Sequence, residues 1–259
     1  MQFLLANPFR LVYAAIDLKN ATIIIKDGYA GPADPAGAVN NVAGYSTGAT
    51  SITVDGFTGS LTVGDYVTIA GSAEATEARL TRHLVTAATG SPTTSITISP
   101  GLSAAVADNA VVTVVPHEIE VTVGEGNMQY TEKRNIEYIR DRGRLDTVRE
   151  GDEEPVEVRL DFTWEFIKAD TGEVPTIEDA IKQRGEASGW TSSSADSCEP
   201  YAVDIEIYYN PPCSNAKDEV ILLQDFRWEQ LDHNARDGQI SMTGKCNVKE
   251  ATVTRVTTA

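Results

Sequence analysis

The 259 residues predict a mainly β protein with one short α-helix: a sandwich or barrel carrying a second, small β-barrel-like module. Three observations carry this. Residues 156–166 alternate strictly, with Val156, Val158, Leu160, Phe162, Trp164 and Phe166 on one side and Glu157, Arg159, Asp161, Thr163 and Glu165 on the other. That period of two describes a long strand with one buried and one wet face. Residues 44–115 form a Thr/Val/Ala/Gly-rich, almost uncharged stretch of short apolar runs divided by turn residues, the texture of a small barrel or sandwich. Helical periodicity appears once, near 176–185.

Taken in order, residues 1–20 read as an arm whose apolar Phe3, Leu4 and Phe9 dock on another surface. The arm lacks a basic n-region, and Asn7, Pro8 and Arg10 interrupt it, so it does not read as a secretion signal. The β-branched run 21–26 is a strand closed by the turn signal Asp27-Gly28. A Gly/Pro/Ala-rich stretch, 31–37, reads as a linker.

Within the module, strands are expected at 51–54, 66–69, 83–87, 95–98 and 111–115. Asp55-Gly56, Gly64-Asp65, Gly90-Ser91-Pro92 and Pro100-Gly101 separate them. The framework, 1–43 and 116–259, resumes with alternating strands at 118–123, 156–166, 201–208 and 240–248 and a more apolar, central strand at 220–228. Ile240, Met242, Gly244, Cys246 and Val248 share a face in the last of these, which makes Cys246 a small core residue. Thr176 caps the helix with Asp179 as its capping-box partner; Ile177, Ala180 and Ile181 make the apolar stripe, and Gly185 ends it.

The charge balance is acidic, 38 acids against 21 bases for a net −17. Such a field disfavours binding to nucleic acid or to an anionic membrane. No segment approaches the ~18 apolar residues that span a bilayer. The module holds only −3, from Asp55, Asp65, Glu74, Glu77 and Asp108 against Arg79 and Arg82, leaving −14 to the framework. Cys198, Cys213 and Cys246 lack zinc-ligand spacing and read as reduced thiols of a bacterial cytoplasm.

Chemistry-bearing motifs are sparse. His83, His117 and His233 are isolated and read as surface or turn residues, His233 in a polar turn 231–234. There is no Walker loop or H-E-x-x-H. Gly124-Glu125-Gly126 lacks the third glycine and following helix of a phosphate loop. The carboxylate groups Glu118/Glu120 and Asp152/Glu153/Glu154 read as solvated surface. No enzyme activity, cofactor or metal is expected.

The informative segment is the charged loop 130–155, with eight acids and six bases between two strong strands. A connection this long is unusual in a compact domain. Apolar Ile136, Tyr138, Ile139, Leu145 and Val148 scattered through it favour a contact with a neighbouring copy over a purely solvated loop. The expected contact residues are Arg134, Tyr138, Arg140, Arg142, Arg144, Asp146, Arg149, Glu150 and Asp152.

Several stretches resemble one family. Ile24-Ile25-Lys26-Asp27-Gly28 is similar to the opening strand and turn of tail tube (major tail) proteins of long-tailed bacteriophages. Val123-Gly124-Glu125-Gly126-Asn127, Tyr138-Ile139-Arg140-Asp141-Arg142-Gly143 and residues 145–152, leading to Trp164-Glu165-Phe166, resemble their middle section. Leu231-Asp232-His233, Asp237-Gly238-Gln239-Ile240-Ser241 and Gly244-Lys245-Cys246-Asn247 resemble the closing hairpin. The resemblance spans roughly 10–43 and 116–250; residues 44–115 depart from it and resemble β modules inserted in phage structural proteins.

The resemblance implies stacked rings, usually of six, forming a tube in the virion tail, assembled in the host cytoplasm. The implied partners are the chain itself and the tape-measure, terminator and tail-tip proteins; DNA passes through the lumen without specific binding. Glu118, Glu120, Glu157, Asp161 and Glu165 are the candidate lumen-facing acids. The alternatives are a carbohydrate-binding or adhesin-like β protein, another tail-tip part, or a secretion-tube component.

Overall fold

The computed structural model describes residues 21–29, 36–73, 80–123, 127–164, 175–209 and 218–256. The chain is mainly β, with a rolled eight-stranded sheet, a closed six-stranded barrel, a separate two-stranded ribbon and one short helix. The expected fold class is the one observed.

The sheet is built from β1 (Ala21–Lys26), β8 (Glu118–Glu120), β9 (Met128–Thr131), β12 (Glu157–Thr163), β13 (Val203–Tyr209), β14 (Asp218–Asn234), β15 (Gln239–Cys246) and β16 (Thr252–Val256). Its order is β8-β1-β13-β14-β15-β12-β9, with β16 added to β14. Every pairing is antiparallel. The chain after β8 joins both ends of this order: Val121 N–H donates to Ile23 O and Thr163 N–H to Thr122 O. The alternation of 156–162 holds, since Val156, Val158, Leu160 and Phe162 are buried in one core with Ile23, Ile25, Ile205, Leu223, Phe226, Ile240 and Met242. Trp164 departs from it. The strand ends at Thr163, and the indole lies half exposed; Glu165 and Phe166 lie outside the described residues. Cys246 is buried as expected, and burial, with the charges of Asp204 and Asp225, pushes its thiol up to about 12.

Helix α1 (Ile177–Lys182) closes this core with Ile177, Ala180 and Ile181. Thr176 Oγ1 accepts from the Asp179 N–H at 3.2 Å and donates to Asp179 Oδ2 at 2.8 Å. The helix stops earlier than Gly185. Gln183 takes the left-handed cap at φ 51° while its side-chain amide donates to Trp190 O.

The barrel comprises β2 (Ala36–Val39), β3 (Ser51–Asp55), β4 (Tyr66–Ala73), β5 (Leu80–Thr89), β6 (Ser95–Ser99) and β7 (Val111–Val115), closed in the order β2-β3-β6-β5-β4-β7. Its own core contains Val39, Ile52, Val54, Val67, Ile69, Val85, Ile96, Ile98, Val112 and Val114. The barrel begins earlier than composition suggests. Strand β2 falls within 31–43, yet it pairs with both β3 and β7 and completes the closure. The chain passes between sheet and barrel beside the β1–β8 pairing. Lys26 of β1 pairs with Glu118 of β8, Asp27 N–H donates to His117 O, and the Asp27 carboxylate accepts from the His117 N–H and Nδ1.

Candidate functional site

Within the expected loop 130–155, residues 136–150 form a hairpin, while Tyr130 and Thr131 belong to β9. Strands β10 (Ile136–Asp141) and β11 (Arg144–Glu150) pair antiparallel through a two-residue turn with Arg142 at φ 48° and Gly143 at φ 82°. Two successive left-handed residues are what a tight hairpin turn of matching twist requires. A register shift after Ile139 pairs Arg140 with Leu145 and leaves Asp146 as the extra residue.

Pairing decides the faces. Ile136 stands opposite Glu150, Tyr138 opposite Val148 and Arg140 opposite Leu145, so four apolar residues share one side. Their exposures are 45%, 59%, 59% and 66% for Ile136, Tyr138, Val148 and Leu145. The other side holds the Glu137–Arg149 ion pair at 2.6 Å, with Ile139, Thr147, Asp141 and Arg144. Every residue of both strands is exposed. Such a two-stranded ribbon is at best marginally stable in water, and burying each large apolar side chain gains about 1.5–3 kcal/mol. This ribbon therefore gains more from being covered than any other element described.

Its root is tied to the sheet. Lys133 bonds Glu157 at 2.7 Å and holds that carboxyl below its ordinary value through the hydrogen bond and its charge. Lys249 reaches Glu153 at 3.1 Å, and Ala251 N–H donates to Glu132. Among the expected contact residues, Tyr138, Arg140, Arg142, Arg144, Asp146, Arg149 and Glu150 lie on the hairpin; Arg134 and Asp152 flank its root.

The candidate lumen acids fall into two patches. Glu118 and Glu120 lie on β8; Glu157 and Asp161 lie on β12. Cations or hydroxyls meet most of them: Arg82 contacts Glu118 at 2.6 Å, Lys133 contacts Glu157, and Ser241 donates to Asp161 at 2.5 Å with Arg159 at 3.6 Å. Lys245 adds a further base on the β12–β15 face. The face is ion-paired rather than uniformly acidic. Glu165, Phe3, Leu4 and Phe9 lie outside the described residues, as does Gly124-Glu125-Gly126.

The histidines differ most from their sequence reading. His83 is fully buried inside the barrel, where Nδ1 contacts Pro100 O at 2.9 Å and Nε2 contacts Ser72 Oγ at 3.1 Å. Ser103 and Thr81 continue this hydroxyl chain. Burial lowers the His83 pKa despite the Pro100 contact, favouring neutral imidazole. Ser72 and His83 have the pairing of a nucleophile and base, but both are 0% exposed, so their bond serves the barrel core. His117 lies beside the buried Asp27, 2.7 Å away, between the rings of Tyr29 and Trp190. His233 belongs to β14 rather than to a turn and contacts Glu178 and Trp164.

Cys198 is exposed and free, while Cys213 lies outside the described residues. Of the barrel aromatics, Phe57 is buried, while Tyr45 is half-buried and its hydroxyl accepts from the Thr53 N–H. Among the described residues no group of three or more His, Cys, Asp and Glu is placed to hold a metal. No family model, curated protein or solved structure matches the chain.

Proposed function

We propose that the chain is a non-enzymatic structural subunit that polymerises with copies of itself, as tail tube proteins of long-tailed bacteriophages do. In this reading rings stack into a tube in the virion tail, and DNA passes through the lumen without being held. The hairpin carries the proposal. It presents Ile136, Tyr138, Val148 and Leu145 on one exposed face and charge on the other, the composition of a contact that is apolar inside and polar at its rim. Edge strands β8 and β9 offer further backbone pairing to a neighbour. A head-to-tail contact of hairpin on body is heterologous, and such contacts build rings or filaments.

The test is electron microscopy and sedimentation of the purified chain beside a Tyr138→Ser/Val148→Ser variant. Channelled filaments or rings are expected from the first, and folded monomers from the second. A chain that stays monomeric at every concentration overturns the reading.

A further inference from the structure

A cleft of about 350 Å³ opens where barrel and sheet meet. Its rings are ordered: His117 stacks on Tyr29 at 4.9 Å and 29° and on Trp190 at 5.9 Å and 15°, while Tyr66 meets His117 edge-on at 6.1 Å. Three carboxylates, Asp65, Glu118 and Glu186, line the same space. Asp65 is occupied by the Thr62 N–H and hydroxyl at 2.7 and 3.0 Å, and Glu118 by Arg82. Glu186 is exposed and makes no ion pair among the described residues.

The field in the cleft is negative. Burial, together with the charges of Asp65 and Asp27 and a hydrogen bond to Asp65, pushes the Tyr29 hydroxyl up to about 12. Burial and then Glu118 raise Tyr66 as well, with Arg82 opposing. The half-buried Tyr29 and Tyr66 rings beside the exposed Glu186 carboxylate suit a flat, delocalised cation, because a guanidinium packs on rings and bonds a carboxylate in its own plane.

The chain carries that cation elsewhere. At the hairpin tip Arg140, Arg142 and Arg144 make no ion pair among the described residues, and Arg142 occupies the turn itself. Strands of six and seven residues place the tip roughly 20 Å from the root. We propose that the cleft is the receptor for the hairpin tip of a second copy, seating the Arg142 guanidinium against its rings and Glu186. The inference rests on the self-assembly reading and names its receiving surface.

Two measurements separate the site from the assembly. In the first, Arg142→Glu and Glu186→Arg each raise the critical concentration for assembly by about tenfold or more, and the double variant returns to within about threefold of the parent. In the second, propylguanidinium is titrated into the full-length Arg142→Glu chain while the Trp190 indole and Gly64 amide resonances are followed. Saturable shifts that Glu186→Gln weakens are expected. No shift overturns the site, whatever the chain does in assembly. Saturable shifts without rescue in the double variant overturn the hairpin as occupant. A parent chain that never assembles sinks the polymerisation reading and the hairpin with it, while the titration still reads the cleft.

Discussion

Gly244 lies in β15 between Val158 and Trp228, where a Cβ would sit 2.2 Å from Arg227 O and 2.7 Å from the Phe226 ring. Backbone and core ring both resist moving, so Gly244→Ala is expected to cost about 3 kcal/mol in denaturant unfolding. Gly189→Ala, with nothing within 4 Å of its Cβ, should stay within about 0.5 kcal/mol of the parent. A second prediction concerns Glu178. Burial pulls its carboxyl upward, but hydrogen bonds from Lys182 and His233 and the charges of Lys182 and Arg184 outweigh it, leaving the pKa below its ordinary 4.5. The folded carboxyl is therefore the stronger acid. Its contribution is complete above pH 4.5 and is lost as the pH falls through the lowered value. Glu178→Gln should cost about 1 kcal/mol at pH 7, and the gap to the parent should close on acidification in pH-resolved thermal melts. At this scale the sequence was informative where chemistry is local. Thr176 and Asp179 bond across three residues, and that cap was legible. His83 was not: Thr81 and His83 point inward while Leu84 points outward, inverting the usual pattern. Only the closed barrel supplies Ser72 and Pro100 to satisfy that imidazole.

Among the elements, long alternating strands were read nearly in full, because one buried face imposes period two whatever the neighbours are. Strand β14 runs beyond the 220–228 that the sequence pattern marks. Its polar end, Leu231 to Asn234, looks like a turn, but it continues the ladder opposite residues 239–242. The turn follows it, with Asn234 Oδ1 accepting from the Arg236 and Asp237 N–H groups. The hairpin was hidden by its composition. Dense charge reads as a loop, and Arg142-Gly143 lacks the Asn or Asp of the usual two-residue turn pairs; only the glycine marks the left-handed position. Its turn gives a prediction that separates local from global stability. Gly143 at φ 82° has open space around it, so Gly143→Val is penalised by backbone conformation alone. About 1–2 kcal/mol of strain should raise the amide exchange rates across 136–150 in hydrogen-exchange mass spectrometry. The global melt should not move, because no residue of the hairpin belongs to either core.

At the scale of the molecule, two cores fold from one chain, and their memberships decide whether one can exist without the other. The sheet core contains no residue between 36 and 115, and every fully buried member of the barrel core lies within that range. The chain leaves the sheet and returns to it at a single place, where Asp27 and His117 exchange backbone and side-chain bonds over 2.7–3.1 Å. A short Gly/Ser link from Gly28 to His117 can therefore replace residues 29–116 without altering the β1–β8 pairing of Lys26 with Glu118. Two residues at the junction, Glu118 and His117, lose side-chain partners with the barrel. Glu118 loses Arg82, a half-buried pair whose removal costs on the order of 1 kcal/mol, and His117 loses its Tyr29 and Tyr66 neighbours. Neither reaches Phe162, Phe226 or Leu160, where the burial of the sheet is concentrated. The shortened chain should unfold cooperatively in calorimetry, with its midpoint only a few degrees below the matching transition of the parent. Loss of cooperative unfolding would show that barrel and sheet stabilise each other through more than this one junction. Because the excision also removes Tyr29, Asp65 and Tyr66 from the cleft, the folded framework should assemble poorly even with its hairpin intact. That combination, a sound fold with impaired assembly, distinguishes a barrel that completes a contact site from one that only decorates the subunit.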